Sequence, residues 1–155
     1  MIKRARAKEA ADMLIPLLIG TATIALTMGI QVFAVVLMVR WLIGYMNEHE
    51  LAAGFKIDAY MLSIVLVVMF VGHIIQIAIW SVLFLVIGEF SDMSTAFYHS
   101  TVNFASLGYG DIIMAEPWRL LGALEACNGV LMFGLTTGTL LAVMNRVFSR
   151  HKDRM

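Results

Sequence analysis

Residues 106–110 read Ser-Leu-Gly-Tyr-Gly, so two glycines stand at alternate positions, and Asp111 follows them. Glycines interrupt regular structure and leave backbone N–H and C=O groups available for chemistry. The run lies within 89–117, between two long apolar stretches. Irregular backbone at membrane depth is tolerated only where it is buried in protein or lines a wet cavity. The run therefore favours a pore, although Gly-Tyr-Gly-Asp taken alone is also compatible with a tight turn.

The composition is that of an integral membrane protein. Of 155 residues, 61% are hydrophobic and 14% are charged, and the mean hydropathy is +0.86, which is too apolar for an ordinary soluble domain. The 11 basic and 11 acidic residues balance, so net charge gives no indication of a nucleic-acid partner. Cys127 is the single cysteine, which excludes an intramolecular disulfide and a cysteine metal cluster.

Three stretches are apolar enough to cross a hydrocarbon core, which requires about 20 residues. They are Met13–Tyr45, Ala59–Gly88 and Trp118–Phe148. The basic segment 1–12 precedes the first stretch, which is too long for the core of a signal peptide, so we predict a retained membrane helix. Between the second and third stretches, Ser91 and Asp92 are good N-cap residues for a short helix that ends near Ala105. The predicted order is helix, helix, re-entrant short helix, glycine-rich strand and helix.

These residues resemble a known family, the pore domain of tetrameric potassium channels. The run Ser106–Asp111 reads S-L-G-Y-G-D and is similar to that family's T-V-G-Y-G-D signature. Arg119 begins the third long helix at nearly the family's spacing. Gly129 and Gly134 stand where the family carries its inner-helix glycines. The resemblance covers Ile64–Val147.

The resemblance implies an all-α membrane protein. A potassium-channel-like pore module of outer helix, pore helix, filter and inner helix would occupy 59–148. One extra N-terminal transmembrane helix would occupy 13–46, and a basic tail 149–155. The implied function is a homotetrameric, potassium-selective ion channel in the cell (inner) membrane, with K+ as the permeant ion, no cofactor and no enzymatic activity. An unknown regulatory subunit is a candidate partner.

The resemblance also assigns roles to the filter residues. Main-chain carbonyls from four subunits replace the water around a dehydrated potassium ion. The carbonyls that would form the ion sites belong to Ser106, Leu107, Gly108 and Tyr109, with the Ser106 hydroxyl at the innermost site and Gly110 completing the filter. Gly108 and Gly110 are expected to take positive φ at little steric cost. Leu107 and Tyr109 would point into the pore-helix packing, and Asp111 would attract cations at the outer mouth.

Ionisable residues inside a membrane span are rare and functional by default. Glu125 lies about 9 Å along the helix from Arg119, level with the pore helix. Asn128 shares its face. We predict that both hydrogen-bond behind the filter, where Glu125 braces Asn103 or Ser100. The cost of burying a carboxyl group favours this supporting role over a second interpretation, in which protonation of Glu125 tunes the filter.

His73 and Gln76 share one face of the second long helix, at the level of Gly134 on the third. They are candidates for a proton sensor at a gate, although interhelical hydrogen bonding is the commoner use of such residues. A metal site would need more ligands than this face offers. Gly129 and Gly134 are further gating candidates because glycine permits helix bending, and close packing explains them equally well.

The orientation in the membrane follows from the filter. If the filter faces outside, the third helix ends inside, in agreement with the basic tail 149–155 under the positive-inside rule. Three spans then place the N-terminus outside, although the basic segment 1–12 favours the inside by the same rule. We expect the N-terminus outside because filter orientation is the stronger constraint. No helix carries arginine at every third position, so we predict no voltage sensor.

Two rival functions remain open. The first is a non-selective cation pore or a partner-dependent potassium-uptake subunit. A co-purifying soluble nucleotide-binding protein would favour the uptake subunit. The second is a non-conducting scaffold or a membrane enzyme that uses His73 and Glu125. This second function would be favoured if His73→Ala abolished activity while Gly108→Ala left it intact.

Overall fold

A computed structural model describes residues 2–48 and 54–152. Within these ranges all regular secondary structure is helical. They are α1 (Ile2–Glu48), α2 (Phe55–Val86), α3 (Met93–Phe104) and α4 (Arg119–Lys152), with a short 3-10 turn at Glu116–Trp118. The all-α fold is confirmed. Part of the predicted polar loop after the first helix, 49–53, and the end of the basic tail, 153–155, lie outside the described residues.

Three of these helices contain segments that are long and apolar enough to cross a membrane. The segments are Met13–Met46, Lys56–Val86 and Glu116–Ser149. They agree with the three predicted spans to within a few residues. At a rise of 1.5 Å per residue, α1 is about 70 Å long, more than twice the roughly 30 Å of a hydrocarbon core. The basic segment at its start therefore continues the helix beyond the apolar part.

The chain divides into two compact units. The first combines the beginning of α1 with Ile75–Leu131 and thus contains α3, the filter loop and the start of α4. Within it, Gly20 of α1 faces Leu121 and Leu124 of α4, where any added side chain would meet Leu124. Further along, Thr27 bonds to Asn128, so the two helices run in the same direction here. The start of α1 consequently lies on the filter side, as the predicted topology requires.

The second unit combines Gly29–Ile74 with the end of α4. Its core contains four buried methionines of α1 and α2: Met38, Met46, Met61 and Met69. Unbranched methionine side chains fill irregular gaps between helices. Gln31 crosses this unit and donates from Nε2 to the Met69 sulfur at 3.3 Å. Gly72 lies against the Gln31 side chain, which leaves no room for a Cβ.

Candidate functional site

The pore helix α3 begins at the predicted cap. Asp92 has extended backbone (φ −137°), and its Oδ1 accepts a 2.8 Å hydrogen bond from the Thr95 N–H. This bond satisfies one of the N–H groups that a helix leaves unpaired at its start. It also lowers the pKa of Asp92 below its usual value, because the bond favours the charged carboxylate. The negative charge at the N-terminus of α3 is favourable to the helix dipole as well.

The end of α3 leads directly into the filter. The Ser106 N–H bonds to the Asn103 carbonyl at 2.8 Å, and the Leu107 N–H bonds to the Val102 carbonyl at 2.9 Å. These two bonds form a Schellman motif, in which the residue after the helix takes a left-handed conformation and is usually glycine. Here that residue is Ser106, with φ 56°. The left-handed serine was not predicted, because nothing in its side chain signals this geometry.

Positive φ recurs at every second filter residue. Gly108 has φ 59° and Gly110 has φ 74°, so Ser106, Gly108 and Gly110 are all left-handed. No atom lies within 4 Å of the place a Cβ would occupy at either glycine. Their requirement for glycine is therefore conformational and not a matter of space. In an extended strand successive carbonyls point to opposite sides, and reversing φ at alternate residues is the backbone change that can bring them to one side.

Leu107 and Tyr109 are only partly covered within one chain. Leu107 is 51% exposed and Tyr109 is 65% exposed, although both are large and mostly apolar. The expectation that they point into pore-helix packing stays a prediction.

The outer end of the filter is held by Tyr98, a contact that was not predicted from the sequence. Tyr98 on α3 donates its hydroxyl proton to Asp111 Oδ2 at 2.6 Å. The other carboxylate oxygen accepts from the Ile112 N–H at 3.1 Å. The Tyr98 bond is the main reason that the pKa of Asp111 is lowered, and the same bond raises the pKa of Tyr98. Asp111 is thus an exposed, ionised carboxylate with a fixed orientation.

His99 lies one residue further along α3 and is buried. Its Nε2 is 2.8 Å from Asn103 Nδ2, and the ring also hydrogen-bonds to the backbone of Ile112, just after the filter. The rings of Phe90 and Phe84 contact it at centroid distances of 4.9 and 5.6 Å. Burial lowers the pKa of His99, because an apolar surrounding disfavours the charged ring.

Glu125 of α4 is fully buried behind the pore helix, as predicted from its register. Its Oε1 hydrogen-bonds to Ser100 Oγ, and its carboxyl group also interacts with Asn103. Ser100 Oγ lies 3.1 Å from the Ile77 carbonyl of α2 as well. A hydroxyl group has a single proton to donate, and the carbonyl can only accept it. Ser100 Oγ is the donor in both contacts, so its one proton is shared between Glu125 Oε1 and the Ile77 carbonyl.

Asn128 only partly meets its prediction. It is fully buried on the face of Glu125, but its Nδ2 donates to Thr27 Oγ1 of α1 at 3.0 Å. Thr27 in turn donates to the Thr23 carbonyl at 2.9 Å. This bond therefore joins α4 to α1 and is not directed to the filter. The partner residues are 101 positions apart, and no local pattern could have paired them.

The gating candidates fall in different surroundings. His73 Nε2 is 3.0 Å from Thr136 Oγ1, and the His73 ring meets the edge of Phe133 at 5.1 Å. This is an interhelical contact at the predicted level of α4. Gln76 is fully buried in the other unit. Within the described ranges no group of three His, Cys, Asp or Glu side chains is placed to hold a metal ion.

The two inner-helix glycines differ in their neighbours. Gly129 is buried, and a Cβ there would collide with the carbonyl oxygen of Phe104, the last residue of the pore helix. Gly134 is exposed, and nothing lies within 4 Å of its Cβ position. Close packing therefore explains Gly129, and no contact within one chain explains Gly134.

Comparison with known proteins agrees with this arrangement. A family model described as "Ion channel" matches residues 60–146, which is more than half of the chain. The matched region includes most of α2, the pore helix, the filter loop and most of α4. The chain belongs to the ion channel family. Searches of the curated proteins and of the solved structures returned no match.

Proposed function

We propose that this chain is one subunit of a homotetrameric, potassium-selective channel. The observation that carries the proposal is the alternation of left-handed residues at Ser106, Gly108 and Gly110 directly after a short pore helix. This backbone allows the intervening carbonyls to share one side, which a ring of ion sites requires. Membership of the ion channel family supports ion conduction in general. Potassium as the ion and four as the number of subunits are our proposals.

The short helix is suited to favour a cation at the inner end of the filter. Its capped N-terminus carries Asp92, and its C-terminus leads into Ser106. The C-terminal end of a helix carries a partial negative charge of about half an elementary charge. Four such ends around one axis would lower the cost of holding a dehydrated ion in the membrane. The Ser106 hydroxyl would supply an additional oxygen at that level.

Several chains are needed because one chain cannot complete the site. A single strand offers carbonyls from one side only, whereas a dehydrated potassium ion needs oxygens all around it. Leu107 and Tyr109 are more than half exposed in one chain. In the assembly these side chains would be covered by pore helices of neighbouring subunits, which would keep the strand in place. Asp111, whose carboxylate is fixed by Tyr98, would attract cations at the outer mouth.

Asn103 and Glu125 would support the filter from behind. They hold the pore helix to α4 through Ser100 and the shared amide contact. Asn128 would contribute indirectly, by attaching α1 to the same part of α4. His73, Gln76 and Gly134 remain gating candidates. We place the channel in the cell (inner) membrane as a multi-pass protein, with a regulatory subunit as a candidate partner.

The test is ion flux into liposomes that contain the purified full-length chain. Radioactive rubidium uptake under a potassium gradient should be strong, and it should be at least about tenfold weaker under a sodium gradient, because a filter of fixed carbonyls discriminates between the ions. Gly108→Ala should abolish this selectivity, because alanine tolerates φ near 59° poorly.

Gly88→Ala is the matched control. Gly88 also has positive φ, 77°, with open space at its Cβ position, but it lies at the end of α2 outside the filter. Both variants therefore introduce similar backbone strain, and only one of them alters the filter. Equal uptake under the two gradients would instead indicate a non-selective cation pore. Uptake that requires an added partner protein would indicate an uptake subunit, and wild-type flux in Gly108→Ala would refute the filter assignment.

A further inference from the structure

The proposed conduction pathway does not use the buried ring of His99. This histidine is 6% exposed, and its ring lies between the chain just after the filter and the network behind the filter. One side of the ring contacts the Ile112 backbone, and the other contacts Asn103 Nδ2. The Asn103 amide also interacts with Glu125. A chain of polar contacts thus runs from the filter exit through the pore helix to α4.

The proton inventory of this chain fits a neutral ring. A neutral imidazole has one nitrogen that donates and one that accepts. With Asn103 Nδ2 donating to Nε2, the ring proton lies on the other nitrogen and is available to the Ile112 carbonyl. The second Nδ2 proton of Asn103 is then available to Glu125. The two ring nitrogens of His99 and the two Nδ2 protons of Asn103 then each face a complementary group.

A second proton on His99 would break this chain of contacts. Both ring nitrogens would then be donors, and Nε2 would face the donor Nδ2 of Asn103 at 2.8 Å. This repulsion between two donors is relieved if the His99 ring moves away or if the Asn103 amide rotates. Rotation of the amide also moves Nδ2 away from Glu125. Either change alters the contacts that hold the chain after the filter to the pore helix.

The groups that face His99 come from several elements. Glu89, before α3, and Asp111, after the filter, both favour the charged ring, but burial has the larger effect and the pKa of His99 is lowered. From α4, Glu125 reaches His99 through Asn103, and Arg119 lines the same cavity. The cavity has a volume of about 220 Å³, is open to the surface, and has Asp111 among its lining residues. Water molecules, at roughly 30 Å³ each, fit there and give protons access to the ring.

We infer that His99 is a positioning residue of the filter, and that acid on the filter side switches ion flux off by protonating it. The inference rests on the proposed function, because it requires a conducting filter. Each of four subunits would contribute one ring to a shared ion path. If conduction needs all four rings neutral, half-protonation leaves only about one sixteenth of the flux, so the response to pH is steep.

The experiment measures rubidium uptake into potassium-loaded liposomes from about pH 7.5 to about pH 4.5, with the purified full-length protein. Wild-type uptake should fall by more than about tenfold over this range, for the reason given above. His99→Gln should change less than about twofold, because a glutamine amide can donate to Ile112 and accept from Asn103 but does not titrate in this range. His73→Gln tests the other histidine that is a gating candidate, and loss of the acid response in this variant but not in His99→Gln would overturn the inference.

A second variant tests the direction of the effect without altering His99. The Asn103 Nδ2 group donates to Nε2 and thereby stabilises the neutral ring. Asn103→Leu removes this donor, so the pKa of His99 should rise and the midpoint of the acid response should move to higher pH. The inference is overturned if wild-type uptake is constant over the range, if His99→Gln follows the wild-type profile, or if Asn103→Leu shifts the midpoint downward. If His99→Gln does not fold, the wild-type profile and Asn103→Leu decide. Absence of wild-type uptake at neutral pH refutes the proposed function and this inference together, whereas uptake without an acid response refutes the inference alone.

Discussion

Replacing Gly129 by alanine should separate the inner helix from the pore helix. The new Cβ would meet the Phe104 carbonyl oxygen, a backbone atom at the end of α3 that cannot rotate away. Inserting a methyl group into a well-packed site typically costs about 1–3 kcal/mol. Alanine gains up to about 1 kcal/mol over glycine as a helix former, which offsets part of this cost. The net loss per chain should therefore be about 1–2 kcal/mol, and four chains in one assembly would add their losses.

Gly134→Ala is the matched change in the same helix. Nothing lies within 4 Å of its Cβ position, so only the gain in helix propensity of up to about 1 kcal/mol should remain. The assay is thermal unfolding of the detergent-solubilised assembly, followed by size-exclusion chromatography of heated samples. Gly129→Ala should melt several degrees below wild type, and Gly134→Ala at or above it. If Gly129→Ala were as stable as Gly134→Ala, the close packing of α4 on Phe104 would be wrong.

Three further predictions concern the side chains around the filter. Asp92→Ala should lower the melting temperature at neutral pH. The higher melting temperature of the wild type relative to Asp92→Ala should disappear as the pH falls through the lowered pKa of Asp92. Asp92→Asn should stay more stable than Asp92→Ala at acid pH, because its amide oxygen still caps the helix. Tyr98→Phe should raise the pKa of Asp111 toward its ordinary value, which carbon NMR of the labelled carboxyl group would detect; an unchanged pKa would contradict the assigned hydrogen bond. Thr27→Val should destabilise the chain by about 1–3 kcal/mol because the buried Asn128 amide loses its acceptor; an unchanged melting temperature would count against this anchor.

The helices and the filter backbone were largely predictable because their causes are local. Apolar stretches of sufficient length define membrane helices, and Asp92 caps the pore helix through a contact three residues away. Gly108 and Gly110 take the positive φ that their residue type permits. Ser106 escaped prediction because its left-handed conformation comes from the Schellman bonds at the end of α3, and serine is not the usual residue there.

The side chains behind the filter were predictable only in part. Helical register placed Glu125 at the level of the pore helix, and Ser100 was among its expected partners. The same register could not reveal that Asn128 turns to Thr27, because that bond depends on where an entirely separate helix packs. Tyr98 also carried no signal, since an aromatic residue on a short helix normally serves packing, and its partner becomes adjacent only once the chain has looped back.

The described residues contain three segments long and apolar enough to span a membrane, and if all three cross it, a tag fused ahead of α1 and a tag fused behind α4 would report from opposite compartments. A membrane-impermeant reagent added to intact cells would label one of them and spare the other. An antibody or toxin that binds from the filter side would also meet the start of α1, which adjoins α4 near Gly20 and Thr27.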